Sequence, residues 1–323
     1  TVNTFGDSGF DANLAITGGA GSDAVSFATA VNIGANDLSV TAESITQAAA
    51  ITATGTATFT LGAANSLTLA SANDFGTVII TSADDVSITD ASGLDFGAST
   101  VSGNLSATAT SGNLTDSNLL TVAGTASFTT SAANDDILVD QLAVTGSVDV
   151  HTNGATGNAT VVNATVLDLD TSSVGGNLAA TATTGNVTDS GAIVVGGTTL
   201  LDAAAAADIT LNTPTNDFQG NVSVTGGANT TLVDVNSILL DSLTMTGTLH
   251  VTASAGSITS GNGGGNNIDA SAFAGIATAG IGTVGDPIES TITNFEATGG
   301  TGGAFLTNTG ALTIGGADGV IDG

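Results

Sequence analysis

The residues with chemical potential in this chain are nearly all carboxylates. Asp84-Asp85, Asp135-Asp136 and the alternating Asp168 and Asp170 each set two acids close together in sequence. Carboxylate pairs serve as general acid and base in the cleavage of polysaccharides. An anionic sugar would also require a cationic clamp, and the sequence contains no Lys and no Arg. These pairs are therefore expected to be solvated corners. The run GGAGSDAV at Gly18–Val25 fits the glycine-rich nonapeptide that holds calcium in stacked β-rolls. Such sites take oxygen ligands from successive turns, and this copy stands alone, so a plain turn is expected. Calcium or magnesium shared among surface Asp side chains is the remaining metal chemistry, distributed rather than sited. No catalytic, cofactor-binding or metal-ligating residue is expected, and the chain is read as a non-enzyme.

The other candidates are thinner. His151 and His250 lie in separate apolar-alternating phrases without Cys or a second His nearby, and a nucleophile needs both a base and an orienting acid. The Thr-x-Thr pairs Thr52/Thr54, Thr108/Thr110 and Thr181/Thr183 resemble ice-binding faces. They return only once per long repeat, where such a face needs one on every coil. Sequons, including those at Asn104, Asn158 and Asn221, are frequent in so Asn- and Thr-rich a sequence.

Composition explains why chemistry is scarce. The 323 residues carry 29 acids, two His and a formal charge of −29, with no Cys, Trp or Tyr. Without cations the chain cannot neutralise phosphates, which excludes nucleic acid as a partner, and it cannot dock on an anionic bilayer through a basic patch. Without Cys there are no disulfides or thiolate metal sites. Yet 41% of residues are hydrophobic, so a core can form, built from Ala, Val, Ile, Leu and Thr with 11 Phe. No apolar run reaches the length of a membrane helix. Thr1–Phe10 lacks the basic and apolar regions of a signal peptide, so the numbering is expected to start inside a longer chain.

A long internal repeat positions these residues. GNLSATATSGNLTDS begins at Gly103, GNLAATATTGNVTDS at Gly176 and GTLHVTASAGSITSG at Gly247, with a shortened form, DLSVTAESITQ, at Asp37. TATGTATF at Thr52 matches TVAGTASF at Thr121 and VVGGTTLL at Val194. SLTLASANDFG at Ser66 matches DITLNTPTNDFQG at Asp208, and DDVSITDASGLDF at Asp84 matches NATVVNATVLDL at Asn158 and NTTLVDVNSILL at Asn229. The repeat runs over roughly 30–262 with a period of 67 to 73 residues. Within it, short stretches alternate apolar and polar residues and are separated by Gly, Asn, Asp and Ser, the pattern of strands and turns. Thr, Val, Ile, Gly and Asn dominate, and the helix formers Lys, Arg, Glu and Gln are nearly missing. A long period with short strands predicts a β-solenoid over 1–262. Each coil is expected to hold about three strands in about 24 residues, with three coils per long repeat and a rise of about 4.8 Å per coil.

The segment 263–323 departs from the pattern. GNGGGNN at 261–267 reads as a loop. Asp286-Pro287-Ile288-Glu289 supplies an N-cap, a Pro at the first helical position and a capping Glu, with Ile288, Ile292 and Phe295 at helical spacing. These predict a short helix over 287–297, followed by strands near Ala304–Thr307 and Ala311–Ile314.

Phrases such as LNTPTNDFQGNVSVTGG, GNVTDSGAIVVGGTTLL and GIGTVGDPIESTITNFEATGG resemble the strand repeats of giant bacterial exoproteins of the filamentous-haemagglutinin-like group. The resemblance spans nearly the whole chain and lies in repeat texture. It implies a right-handed parallel β-helix, secretion to the cell surface, and a role in adhesion, biofilm or sheath. Neither Thr1 nor Gly323 carries a cap, so the expected partners are further coils of a longer chain, other copies stacked end to end, and surface or matrix components. The reading is a structural and adhesive segment of an extracellular fibre. Its rivals are a calcium-dependent S-layer-like adhesin module and a polysaccharide-degrading β-helix enzyme.

Overall fold

A computed structural model describes residues 12–317; the expectations placed on Thr1–Phe10 and on the end at Gly323 lie outside them. The described residues are strands, turns and bends, with no helix. Every paired strand with a defined register runs parallel to its neighbour, each coil hydrogen-bonding to the next. The protein is thus an all-β parallel solenoid, divided into two compact units, 1–163 and 164–323.

The β-branched and small apolar residues alternate inward and outward, so each strand buries one face. Leu105–Ala109 shows this directly, with Leu105, Ala107 and Ala109 buried while Ser106 and Thr108 face out. In the first unit, Leu14, Leu38, Ala57, Val78 and Phe96 stack in one column, and Leu94, Leu114, Ile137 and Ala159 stack in a neighbouring column of the same face. Leu67, Val86, Leu105, Ala126 and Val148 stack on the opposite face. In the second unit, Leu178, Thr199, Val222 and Leu240 form one column and Leu167, Val187, Ile209, Thr230, Leu249 and Phe273 the other. Among the described residues six Phe rings lie fully inside, with Phe59 and Phe75 packed edge to face at 6.0 Å.

Most coils contain three strand segments, as expected. They are arranged unequally, one strand of about five residues on one face and two of about three on the other. Val86–Asp90, for example, is opposed by Leu94–Phe96 and Ser99–Val101.

Two expectations of scale are corrected. A coil takes about 18 residues (Val78 to Phe96) to 25 residues (Leu243 to Ile268), mostly below the expected size. A long repeat is also three and a half coils rather than three. From Leu38 the column passes Ala57, Val78 and Phe96, and the equivalent of Leu38, Leu105, then falls half a coil further on, on the opposite face. The second unit repeats the offset. Leu178 is followed by Thr199, Val222 and Leu240, and its equivalent Leu249 pairs with Thr230 and Phe273 across the core. The physical reason is that both faces want the same inside–outside alternation, so a phrase fits either one.

The helix expected over 287–297 is also corrected. Ile288–Thr291 and Asn294–Thr298 are strands. Ile288 and Ser290 align with Leu306 and Asn308, and Phe295 stacks on Phe273 at 5.5 Å. Parallel register on the coil beneath outweighs the local start signal, which is a weak prior in any case. The last strands are Leu306–Asn308 and Thr313–Ile314.

Glycine marks the tightest corners through close approach. Gly103, Gly124 and Gly146 stack with N–H to O distances of 2.8 and 2.9 Å. A Cβ on Gly146 would sit 2.5 Å from the Gly124 carbonyl oxygen, and one on Gly220 would sit 2.3 Å from that of Gly197. Gly146→Ala should therefore lower stability by about 1–3 kcal/mol, the usual cost of overpacking. Chemical denaturation of the variant beside the parent chain measures it.

Candidate functional site

The polar side chains are organised at the corners, where the backbone leaves the strands and its N–H groups need partners. Where a five-residue strand ends in Asp or Asn, as at Asp90, Asn163 and Asp234, that last residue points inward and caps the coil before it. Asp90, fully buried, accepts Phe75 N–H at 2.9 Å and Ser92 N–H at 2.8 Å. Asp234 accepts Phe218 N–H at 2.8 Å and Asn236 N–H at 2.6 Å. Asn163, their counterpart in the repeat, accepts Val144 N–H and donates to Val144 O. The Asn-Asp-Phe phrases supply a second cap: Asn73 accepts Ile51 N–H at 3.0 Å, and Asn216 accepts Ile193 N–H at 2.9 Å. A third cap is the Asp of the Leu-Thr-Asp and Val-Thr-Asp phrases. Asp116 accepts Asp140 and Gln141 N–H, and Asp189 accepts Asn212 and Thr213 N–H.

A second system runs along the strand entries as ladders of Asp, Asn and Thr. Asp85 accepts Asn104 N–H at 2.8 Å, and Asn104 in turn accepts Thr125 N–H at 2.9 Å. Asn113, Asp136 and Asn158 repeat this on the other face, with links of 2.9 and 2.7 Å. Asn186, Asp208, Asn229 and Thr248 do so in the second unit.

These ladders absorb most of the residues with apparent chemistry. Asp85, Asp135 and Asp136 accept backbone N–H groups of neighbouring coils, and Asp135 takes Gly112 N–H at 2.6 Å. Asp168 accepts the Thr188 hydroxyl, while Asp170 accepts Thr171 N–H. Asp84 flanks the same corner, its backbone oxygen taking Gly103 N–H. The sequon residues Asn104, Asn158 and Asn221 donate their amide hydrogens to Asp85, Asp136 and Gly261 O. In the run at Gly18–Val25, Asp23 lies against Gly18 and its N–H donates to Glu43. Among the described residues no group of three or more His, Cys, Asp or Glu could hold a metal ion. His151 lies 3.8 Å from Asp149 on the same strand, and His250 aligns with Thr231 and Ala274.

One arrangement escaped the sequence reading. Ser87/Thr89, Ser106/Thr108 and Ser127/Thr129 stand in register on three consecutive coils as two parallel hydroxyl rows. Searching for Thr at both positions hid them; allowing Ser at the first would have shown them.

Burial makes three corner carboxylates unusual. Desolvation raises Asp116 from 3.8 to about 6, with the nearby Asp140 charge adding to the rise against the opposing backbone donors. Asp90 and Asp234 are raised by the same cause, with Asp74 and Asp217 contributing. The folded chain then holds these protons more tightly than the unfolded chain. Their contribution to stability is full below about pH 4 and is lost as pH rises, for Asp116 through about 6. Melting temperature should therefore rise as pH falls from 7 to about 5, and Asp116→Asn should flatten that dependence. Asp234→Ala strands the buried Phe218 N–H and frees the more exposed Asn236 N–H, and should cost about 1–3 kcal/mol in a denaturant titration at pH 7.

Of the comparisons with known proteins, one finds a match, and it is to a repeat family. The model of a family described as repeats of unknown function (DUF5649) matches residues 11–82, 83–151 and 156–225. Leu14 opens the first copy on one face, Val86 the second on the opposite face, and Ala159 the third back on the first, so the family's unit is the three-and-a-half-coil repeat. No curated protein and no solved structure matches. The chain belongs to the DUF5649 repeat family, each of its copies turning the strand pattern to the other face of the solenoid.

Proposed function

We propose that the chain is a structural and adhesive segment of an extracellular bacterial fibre. The observation that carries this reading is where the polar groups go. Carboxylates, amides and hydroxyls bind one coil to the next, with a family repeat that propagates the same corners. An architecture of this kind is extended by adding coils, each contacting its neighbours. The acidic, cation-free composition supports the external location. It keeps the surface soluble and gives proteases specific for Lys or Arg no site. Stacked hydroxyl rows offer adhesion without charge. The partners in this reading are further coils, other copies and neutral matrix components. No enzymatic step and no resident cofactor belongs to it.

Antibody against the chain, applied to intact cells and viewed by immunoelectron microscopy, tests the proposal. Surface labelling along fibres is expected. Labelling that appears only after the envelope is opened would rule the reading out.

A further inference from the structure

The phrase Gly285-Asp286-Pro287 carries the only Asp–Pro bond in the sequence, and it is not the helix start it resembles. It closes an exposed turn between Gly280–Ile281 and Ile288–Thr291, with Val284 83% exposed at the tip. Gly282, at a φ of 58°, fixes the neck of this turn by donating its N–H to Ile258 O at 2.8 Å. Across the turn, Thr283 N–H donates to Asp286 O at 2.8 Å, and the Thr283 hydroxyl lies 3.4 Å from the same oxygen. Asp286 N–H donates back to the Thr283 hydroxyl oxygen at 3.0 Å. The carbonyl of the Asp–Pro bond is thus held by two donors from one residue.

We infer that the turn at Thr283–Pro287 is a self-cleavage site, hydrolysing the Asp286–Pro287 bond in mild acid faster than the unfolded chain does. A side-chain oxygen of Asp286 attacks its own carbonyl carbon, forming a five-membered ring. The charge that develops on Asp286 O is met by the two Thr283 donors, which is how a fixed donor pair lowers the barrier to acyl transfer. The bond to Pro287 then breaks. Proline makes this the favoured bond: its nitrogen has no hydrogen, belongs to a tertiary amide, and leaves as a secondary amine once protonated by hydronium. The resulting cyclic anhydride adds one water and opens, leaving both carboxyls of Asp286 at a new C-terminus. One water is consumed and nothing is oxidised or reduced.

Both sides of the break stay anchored. Before it, Gly280–Ile281 pairs with Ser257 and Ile258. After it, Ile288–Thr291 pairs with the coils below and above, at Ile268–Asp269 and Leu306–Asn308. Cleavage would leave the coils stacked, with a free amine on Pro287 in a sequence otherwise without Lys or Arg.

The test incubates the full chain between about pH 3 and pH 6, folded and in parallel in concentrated urea, with circular dichroism reporting the folded state. Samples are then fully denatured for mass spectrometry. Fragments ending at Asp286 and beginning at Pro287 are expected, forming about tenfold faster from the folded chain. Asp286→Asn should abolish them. Thr283→Val should slow the folded chain several-fold and leave the urea rate unchanged, while Thr283→Ser keeps both donors and the parent rate. Absence of the fragments, equal rates in the folded chain and in urea, or a Thr283→Val rate equal to the parent would each overturn the inference.

Discussion

A solenoid coil has to turn back over itself within about twenty residues, and each turn leaves backbone N–H groups that the next coil's strands do not reach. Everything else in the two units follows from how those groups are satisfied. Aspartate suits the task because an ionised carboxylate only accepts, with two oxygens and room for several donors. Asp116 and Asp189 each take two successive N–H groups of the coil above, and Asp90 and Asp234 each reach down to a Phe N–H while closing their own turn. Lysine or arginine would bring donors to places already full of donors. Many of the acids that give the chain its charge thus serve as corner bonds, and the penalty is the desolvation that raises Asp116, Asp90 and Asp234.

The core these corners enclose is shallow. It is made of Val, Leu, Ile and Ala with a few Phe, so no single side chain dominates. Stability comes from like stacking on like, as Leu67, Val86 and Leu105 do, and from corners small enough for backbones to touch, as Gly103, Gly124 and Gly146 do. This arrangement tolerates great sequence monotony but little volume at the turns.

The fold was legible because repetition and alternation are both written residue by residue. GNLSATATSGNLTDS and its copies show where strands lie, and Asn104 or Asp136 before a strand marks an entry. The winding was not legible. A period of 67 to 73 residues does not say where a coil closes, and Leu105 and Leu178 look alike whichever wall they line. The helix start at Asp286 failed for a related reason. Its residues satisfy a local code, while the pairing of Ile288 with Leu306 and of Phe295 with Phe273 is a property of the neighbouring coils. The corner caps were hidden in turn because Asn163 and Asp234 read as polar loop residues, although they are fully buried.

The half coil left over in each family unit bears on how such a chain can change length. Duplicating or deleting one unit keeps the alternation of strands and corners, yet it swings whatever follows to the reverse side. Only paired gains or losses return a display patch to its original heading. Chains built this way have a parity, and natural variants that must keep one side presented should differ by even numbers of units.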